Sequence, residues 1–186
     1  MPTKQPSMKT LSTNALFACL LILLAGCHAT RLTSSVGRAE LGDDFDPVDE
    51  QTIAGLEISH VPIEGGIGME FGLRYGKGSG SLGAIYHELE NYEVYAGPRY
   101  EWNQAPWRPY LSAGLSAISV RGTRTGAESA TLSDIGFYLG GGIDYEVGEN
   151  MYLGLGLRKT FEQEGELYGP GELDSWQYLL RFGMAF

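Results

Sequence analysis

Trp176-Gln177-Tyr178-Leu179-Leu180-Arg181-Phe182-Gly183-Met184-Ala185-Phe186 is the stretch that decides the fold. Every second residue is large and apolar: Trp176, Tyr178, Leu180, Phe182, Met184 and Phe186. Between them stand Gln177, Leu179, Arg181, Gly183 and Ala185. Side chains that alternate with a period of two belong to a β-strand, whose successive residues point to opposite faces. About ten residues is also the length at which a tilted strand crosses a bilayer.

The same pattern recurs upstream and predicts seven further strands. They lie near 51–59, 66–76, 80–89, 92–102, 107–121, 134–147 and 150–161. The segment at 66–76 sets Ile67, Met69, Phe71, Leu73 and Tyr75 against Gly68, Glu70, Gly72, Arg74 and Gly76. The segment at 150–161 sets Met151, Leu153, Leu155 and Leu157 against Tyr152, Gly154, Gly156 and Arg158. Residues 80–89 also fit a helical face, and their neighbours decide for strand. Pro98 removes a ladder donor from the segment at 92–102 and predicts a bulge there. Eight antiparallel strands close into an up-and-down barrel, and closure matters in lipid because an open edge finds no hydrogen-bond partner there.

Which face carries charge separates a membrane barrel from a soluble one. Glu57, Glu70, Arg74, Glu93, Arg99, Glu101, Asp144, Arg158 and Arg181 all share a face with glycines or other small residues. An eight-stranded barrel has room inside for side chains and little else. These nine residues are therefore expected to pair inside, with the Leu, Ile, Phe, Met and Tyr face toward acyl chains. A soluble lipocalin-like lipoprotein that binds an apolar ligand is an alternative that needs the reverse. Aromatic residues gather where a girdle is expected: Tyr100, Trp102, Trp107, Tyr145 and Phe186 at one set of strand ends, Phe161, Trp176 and Tyr178 at the other.

The chain has 186 residues, 27 of them glycine, and a net charge of −10. No Lys/Arg cluster offers a surface for nucleic acid. Its two cysteines, Cys19 and Cys27, both precede the barrel, which leaves the body without a disulfide framework or thiolate metal site. Lys4 and Lys9, the apolar run Leu16–Leu24 and the small residues after it read as an export signal. Leu24-Ala25-Gly26-Cys27 resembles the bacterial lipobox. That resemblance implies cleavage after residue 26 and a diacylglycerol on Cys27. Removing residues 1–26 takes away Lys4 and Lys9 and no acid, which moves the charge from −10 to −12. Residues 27–50 are polar and acidic, and they are expected to be a periplasmic tether to a barrel at 51–186.

Three phrases look like strands of small outer-membrane-protein-A-like, porin-family barrels: Tyr95-Ala96-Gly97-Pro98-Arg99-Tyr100-Glu101-Trp102, Arg108-Pro109-Tyr110-Leu111-Ser112-Ala113-Gly114-Leu115 and Gly140-Gly141-Gly142-Ile143-Asp144-Tyr145. The resemblance implies a Gram-negative outer membrane, a lipid surround, a monomer, and a C-terminal signal in Phe182, Met184 and Phe186 for the barrel-assembly machinery. It also implies short periplasmic turns at Gly76–Gly80, Asn103–Pro106 and Gly148–Asn150. Long outer loops then fall at Arg121–Ser133 and Glu162–Ser175, and short ones near His60–Gly65 and Glu90–Asn91.

No catalytic, metal or cofactor site is expected. Gly78-Ser79-Gly80-Ser81-Leu82-Gly83 spells G-x-G-x-x-G, but a dinucleotide site needs a strand before it and a helix after it. Ser59-His60 and His87-Glu88 match no motif of the lipid A-modifying barrel enzymes, which stay as the catalytic alternative. The interior charges could line a narrow pore, and the acidic segment Glu162, Glu164, Glu166, Glu172 and Asp174 could meet cations or a partner. The expected role is structural or surface-interacting.

Overall fold

The computed structural model describes residues 28–41, 48–82, 85–124, 126, 129–161, 164–166, 170–172 and 174–186. Ten strands are present among them: β1 (His28–Leu41), β2 (Glu50–Pro62), β3 (Gly66–Leu82), β4 (Ile85–Glu101), β5 (Trp107–Arg124), β6 (Ala130–Glu146), β7 (Met151–Phe161), β8 (Glu164–Glu166), β9 (Pro170–Glu172) and β10 (Ser175–Ala185). Eight of them form a closed antiparallel barrel in the order β1-β10-β7-β6-β5-β4-β3-β2. The short β8–β9 ribbon lies in the connection between β7 and β10.

The barrel has eight strands, but two expected boundaries are corrected. The segment read as a tether contains β1, which pairs with β2 on one side and β10 on the other and so closes the barrel. Its outward face shows only Leu32 and Val36 as large apolar residues, too few for alternation to stand out. The segment read as a strand at 80–89 divides between β3, which ends at Leu82, and β4, which begins at Ile85 and runs on through the segment read at 92–102 as far as Glu101. Gly76–Gly80 is not a turn but lies inside β3, and Glu90–Asn91 is not a loop but lies inside β4. The turn after β2 also changes ends. Asn103 Nδ2 donates to the Ile63 carbonyl at 3.1 Å, which puts it beside the β4–β5 turn rather than at the opposite rim.

Each ladder keeps a single register. At Pro98 the expected bulge is absent: Ala96 pairs with Leu115 and Arg99 with Ser112, three residues apart on both strands. The missing donor costs ladder bonds but inserts no residue. Pairing can be followed around the barrel from Arg31 through Ser59, Glu70, Gly97, Gly114, Tyr138, Thr160 and Ser175 to Leu41, the Gly97–Gly114 step being fixed by the pairs that flank it. The path returns to β1 ten residues from its start. With a rise of about 3.3 Å per residue and about 4.8 Å between strands, that stagger tilts the strands by about 40°. Each residue then adds about 2.5 Å of height.

The strands differ in length. β7 and β10 have 11 residues each, whereas β3, β4 and β6 have 17 and β5 has 18. At that tilt the short side stands about 27 Å high and the tall side about 42 Å. The tops of β3–β6 project as a sheet about 15 Å above the rest of the rim.

Candidate functional site

The interior, among the described residues, is a packed core in which buried charges of the two signs are equal in number. Five guanidiniums (Arg31, Arg74, Arg99, Arg158, Arg181) and five carboxylates (Glu57, Glu70, Glu93, Glu101, Asp144) are buried, none more than 5 % exposed. All nine charged residues named from the sequence lie here, and Arg31, hidden in the supposed tether, makes the tenth. Arg99 is the hub. Its Nη1 reaches Glu57 at 3.1 Å and Glu70 at 3.5 Å, and its Nη2 reaches Asp144 at 3.0 Å and Glu101 at 3.5 Å. Arg181 spans Glu57 at 3.0 Å and Asp144 at 3.3 Å. Arg31 holds Glu101 with both terminal nitrogens, each at 2.8 Å. Arg158 pairs with Glu93, which also lies 4.0 Å from Arg74. Buried charges persist only when they are paired, and every member of this set has a partner of opposite sign. Nε of Arg31, Arg74, Arg99 and Arg158, Nη1 of Arg158 and Oε1 of Glu101 make no hydrogen bond among the described residues.

Tyrosines, which the charge pattern alone did not single out, complete the network. Tyr95 donates to Glu57 at 3.0 Å and Tyr138 to Glu70 at 2.9 Å. The Arg99 guanidinium stacks 3.6 Å from the Tyr110 ring centre, and that of Arg158 stacks 3.7 Å from Tyr138 and 4.0 Å from Tyr95. Each inward tyrosine stands opposite a glycine in the ladder: Tyr95 by Gly72, Tyr138 by Gly114, Tyr110 by Gly142 and Tyr152 by Gly183. A Cβ on Gly72 would lie 2.3 Å from Tyr95, and one on Gly183 would lie 2.2 Å from Tyr152. The alternation of inward Gly and inward Tyr on neighbouring strands was the signal that could have found them.

The core leaves little space. The cavity among Glu57, Glu70, Arg74, Tyr110, Arg158 and Arg181 holds about 10 Å³, at the lower limit for one water molecule. Above it the lumen turns apolar. Val48, between β1 and β2, is 1 % exposed and packs with Leu89, Ile118 and Val120, flanked by Leu41 and Leu132. Among the described residues the lumen is thus filled at two levels, by an ionic layer and by an apolar plug.

The outer face carries the apolar set. Ile67, Phe71, Leu73, Val94, Leu115, Ile135, Phe137, Leu155 and Leu180 are each more than half exposed. That arrangement, apolar out and charged in, is the opposite of a soluble lipocalin-like barrel. Aromatic pairs bound the band. Tyr100 meets Trp102 and Trp107 meets Tyr145 at the lower end, each pair 4.6 Å between ring centres, and Tyr75 meets Tyr92 at 5.1 Å higher up. Tyr92 to Tyr100 is eight residues and Tyr92 to Trp102 ten, which gives about 20–25 Å, close to the apolar height of an outer-membrane barrel.

Above Tyr75 and Tyr92 the polarity inverts. On β5 the outward Leu111, Ala113, Leu115 and Ala117 give way to Ser119, Arg121 and Thr123, while the inward Ser112 and Ser116 give way to Ile118 and Val120. On β6 outward Ile135 gives way to Ser133 and Thr131. The projecting sheet therefore shows a polar outer face. Lys77 pairs with Glu88 at 3.0 Å and Glu90 at 3.2 Å, and Ser133 donates to Ser119 at 3.1 Å. The bond from Lys77, then that from Tyr75, holds the Glu90 carboxyl below its ordinary range.

The remaining expected residues fall as follows. Cys27 and the export signal lie outside the described residues. Phe182 and Met184 point outward at 41 % and 40 % exposure, and Phe186 is 72 % exposed with its amide bonded to the Thr30 carbonyl at 2.9 Å. Ser59 is buried near the lower end, His60 beside it lies 3.2 Å from the Thr30 hydroxyl, and His87 is near the top of β4. They do not converge. Gly78–Leu82 of the G-x-G-x-x-G match continue β3. Among the described residues no three His, Cys, Asp or Glu side chains are grouped to hold a metal ion.

Comparison with known proteins agrees with this geometry. The attachment invasion locus protein of Yersinia pestis, solved with the heparin analogue sucrose octasulfate, superposes with a TM-score of 0.60 at 13 % identity, over 86 % of this chain and 99 % of that one. Neisserial surface protein A gives 0.60 at 17 % identity, over 87 % and 98 %. The N-terminal barrel domain of Pseudomonas aeruginosa OprF gives 0.51 at 16 % identity, over 84 % and 97 %. Among curated protein sequences, none matches this one. The sequence profile of the outer membrane protein β-barrel domain matches residues 19–186. The chain belongs to the outer membrane protein β-barrel domain family, and its place is the outer membrane of a Gram-negative bacterium.

Proposed function

We propose that the barrel is a closed membrane anchor for a surface-interaction element, the sheet formed by the tops of β3–β6, and that the protein is neither an enzyme nor an open pore. One observation carries this reading. The sheet stands about 15 Å above the apolar band with a polar outer face, while the lumen beneath it is filled by ten buried charges and an apolar plug. Structure invested beyond the bilayer is available for contact, and the described part of the lumen is filled rather than open.

The same reading includes a lipid on Cys27, insertion through the barrel-assembly machinery by way of Phe182, Met184 and Phe186, and a monomeric barrel. Because β1 begins at His28, a lipid on Cys27 would lie at the lower, periplasmic rim with no spacer. Mass spectrometry of the N-terminal peptide tests the modification, and Phe186→Ala tests the assembly signal through the yield of folded protein in the membrane.

The test of the main reading combines two measurements. Residues 78–88 and 121–131 are replaced by short turns, and cells displaying either form are compared for binding to host-matrix proteins and glycans and for self-aggregation. Purified protein is examined in planar bilayers. Binding that disappears with the tips, from a protein that shows no steady conductance, is the expected result. Binding unaffected by their removal, or a stable open channel, refutes it.

A further inference from the structure

The lipid-facing wall carries a groove of about 700 Å³. It runs across β5, β6 and β7 from Trp102, below β5, to Trp176 on β10, walled by Leu111, Leu157 and Phe161. From β5 to β10 it crosses three interstrand spacings and is about 14 Å wide. Its floor is Gly141. On β6 the outward positions on either side are Leu139 and Ile143, and Gly141 pairs with Leu111 on one neighbour and Leu157 on the other. The hollow is thus one missing side chain in an otherwise continuous apolar surface.

At the upper end of this groove stands Lys159. The other outward residues of β7 are Met151, Leu153, Leu155, Leu157 and Phe161, so Lys159 is the one cation on that face. Its ammonium pairs with Asp174 at 2.9 Å and lies 5.6 Å from the ring centres of both Phe161 and Trp176. An ammonium has three donors, and one carboxylate uses one of them. A lysine on the lipid face is costly at the midplane and nearly free at the interface, and Lys159 sits two residues short of the upper end of β7. An apolar channel with a cation at headgroup level is complementary to one amphiphile: an anionic lipid.

We propose that this groove is a specific site for a phosphate-bearing lipid of the surrounding membrane, one acyl chain lying over Gly141 and the phosphate meeting Lys159 between the Phe161 and Trp176 rings. Asp174 stays on the opposite side of the ammonium and holds it in place.

The experiment is a native mass-spectrometric titration of the full barrel in neutral detergent. Phosphatidylglycerol is the probe and diacylglycerol, which lacks the phosphate, is the control. Wild-type protein should retain one phosphatidylglycerol at least tenfold more tightly than diacylglycerol. Lys159→Gln should erase that preference. Gly141→Leu, which fills the floor, should weaken both lipids about tenfold or more. Both residues face outward, so migration on unboiled gels should be unchanged; if Gly141→Leu fails to fold, Leu111→Trp fills the groove from its wall. Equal affinity for the two lipids overturns the proposal, and so does wild-type binding by both variants. An effect of Lys159→Gln without one from the groove-filling variant overturns the groove as the chain's seat.

Discussion

Replacing Arg99 by methionine would remove the hub of the interior and leave five carboxylates facing four guanidiniums. Arg99 is 1 % exposed and touches Glu57, Glu70, Glu101, Asp144 and the Tyr110 ring. Removing one partner of a buried pair costs about 3–5 kcal/mol, chiefly because the other charge is left uncompensated. The lost ring contact is worth about 2 kcal/mol in a desolvated setting; the two overlap and do not simply add. Taking about 4 kcal/mol and a urea slope of about 2 kcal/mol per molar, the unfolding midpoint in lipid vesicles should fall by about 2 M. Unboiled gel migration reads the folded fraction. The decisive variant is the double one, Arg99→Met with Asp144→Asn, which restores four charges of each sign. It should be less destabilised than the sum of the two single variants by about 1–3 kcal/mol. A double variant that matches or exceeds the sum would refute charge balance as the organising rule of this core.

Deleting residues 28–41 should abolish the closed barrel and the heat-dependent gel shift, whereas a mere tether could be removed without effect. Gly37→Ala should do nearly the same at a single site. Its Cβ would lie 1.8 Å from the Tyr178 carbonyl oxygen at the β1–β10 seam, backbone against backbone, with nothing flexible to yield; a wild-type gel shift would count against that seam. In the projecting sheet, the Glu90 carboxyl should titrate below its ordinary range by NMR. Because its pKa is lowered in the folded state, the Lys77–Glu90 contribution is present above the ordinary value and lost as pH falls through the lowered one; Lys77→Gln should move the titration back up.

The fold was most legible where lipid enforces it. β7 and β10 span the apolar band and end at its interfaces, and their alternation alone set their extents. β4 was misread because it crosses the membrane surface. Below Asn91 its outward residues are Tyr92 and Val94 and its inward one is Glu93; above it Glu90 faces out and Leu89 faces in. The hydrophobic phase flips at that point, and a flip of phase in a period-two pattern resembles a turn. β1 was missed for another reason: its outward face is Leu32, Ser34, Val36, Arg38 and Glu40, with two apolar members to carry a signal. The charged interior was legible because carboxylates and guanidiniums shared the glycine face. The pairing was not, since Arg31 with Glu101 and Arg181 with Glu57 join residues 70 and 124 positions apart.

The seam between β1 and β10 has a bearing on biogenesis. Ser34 donates to the carbonyl of Phe182, a partner 148 residues downstream. If strands reach the periplasm in chain order, the first of the barrel must wait there, edge unsatisfied, until the last has arrived. During that wait its Ser, Thr, Gly and Arg residues, which made it look like a linker, leave it little to aggregate with. The weak apolar character that concealed β1 is suited to the strand with the longest time in water.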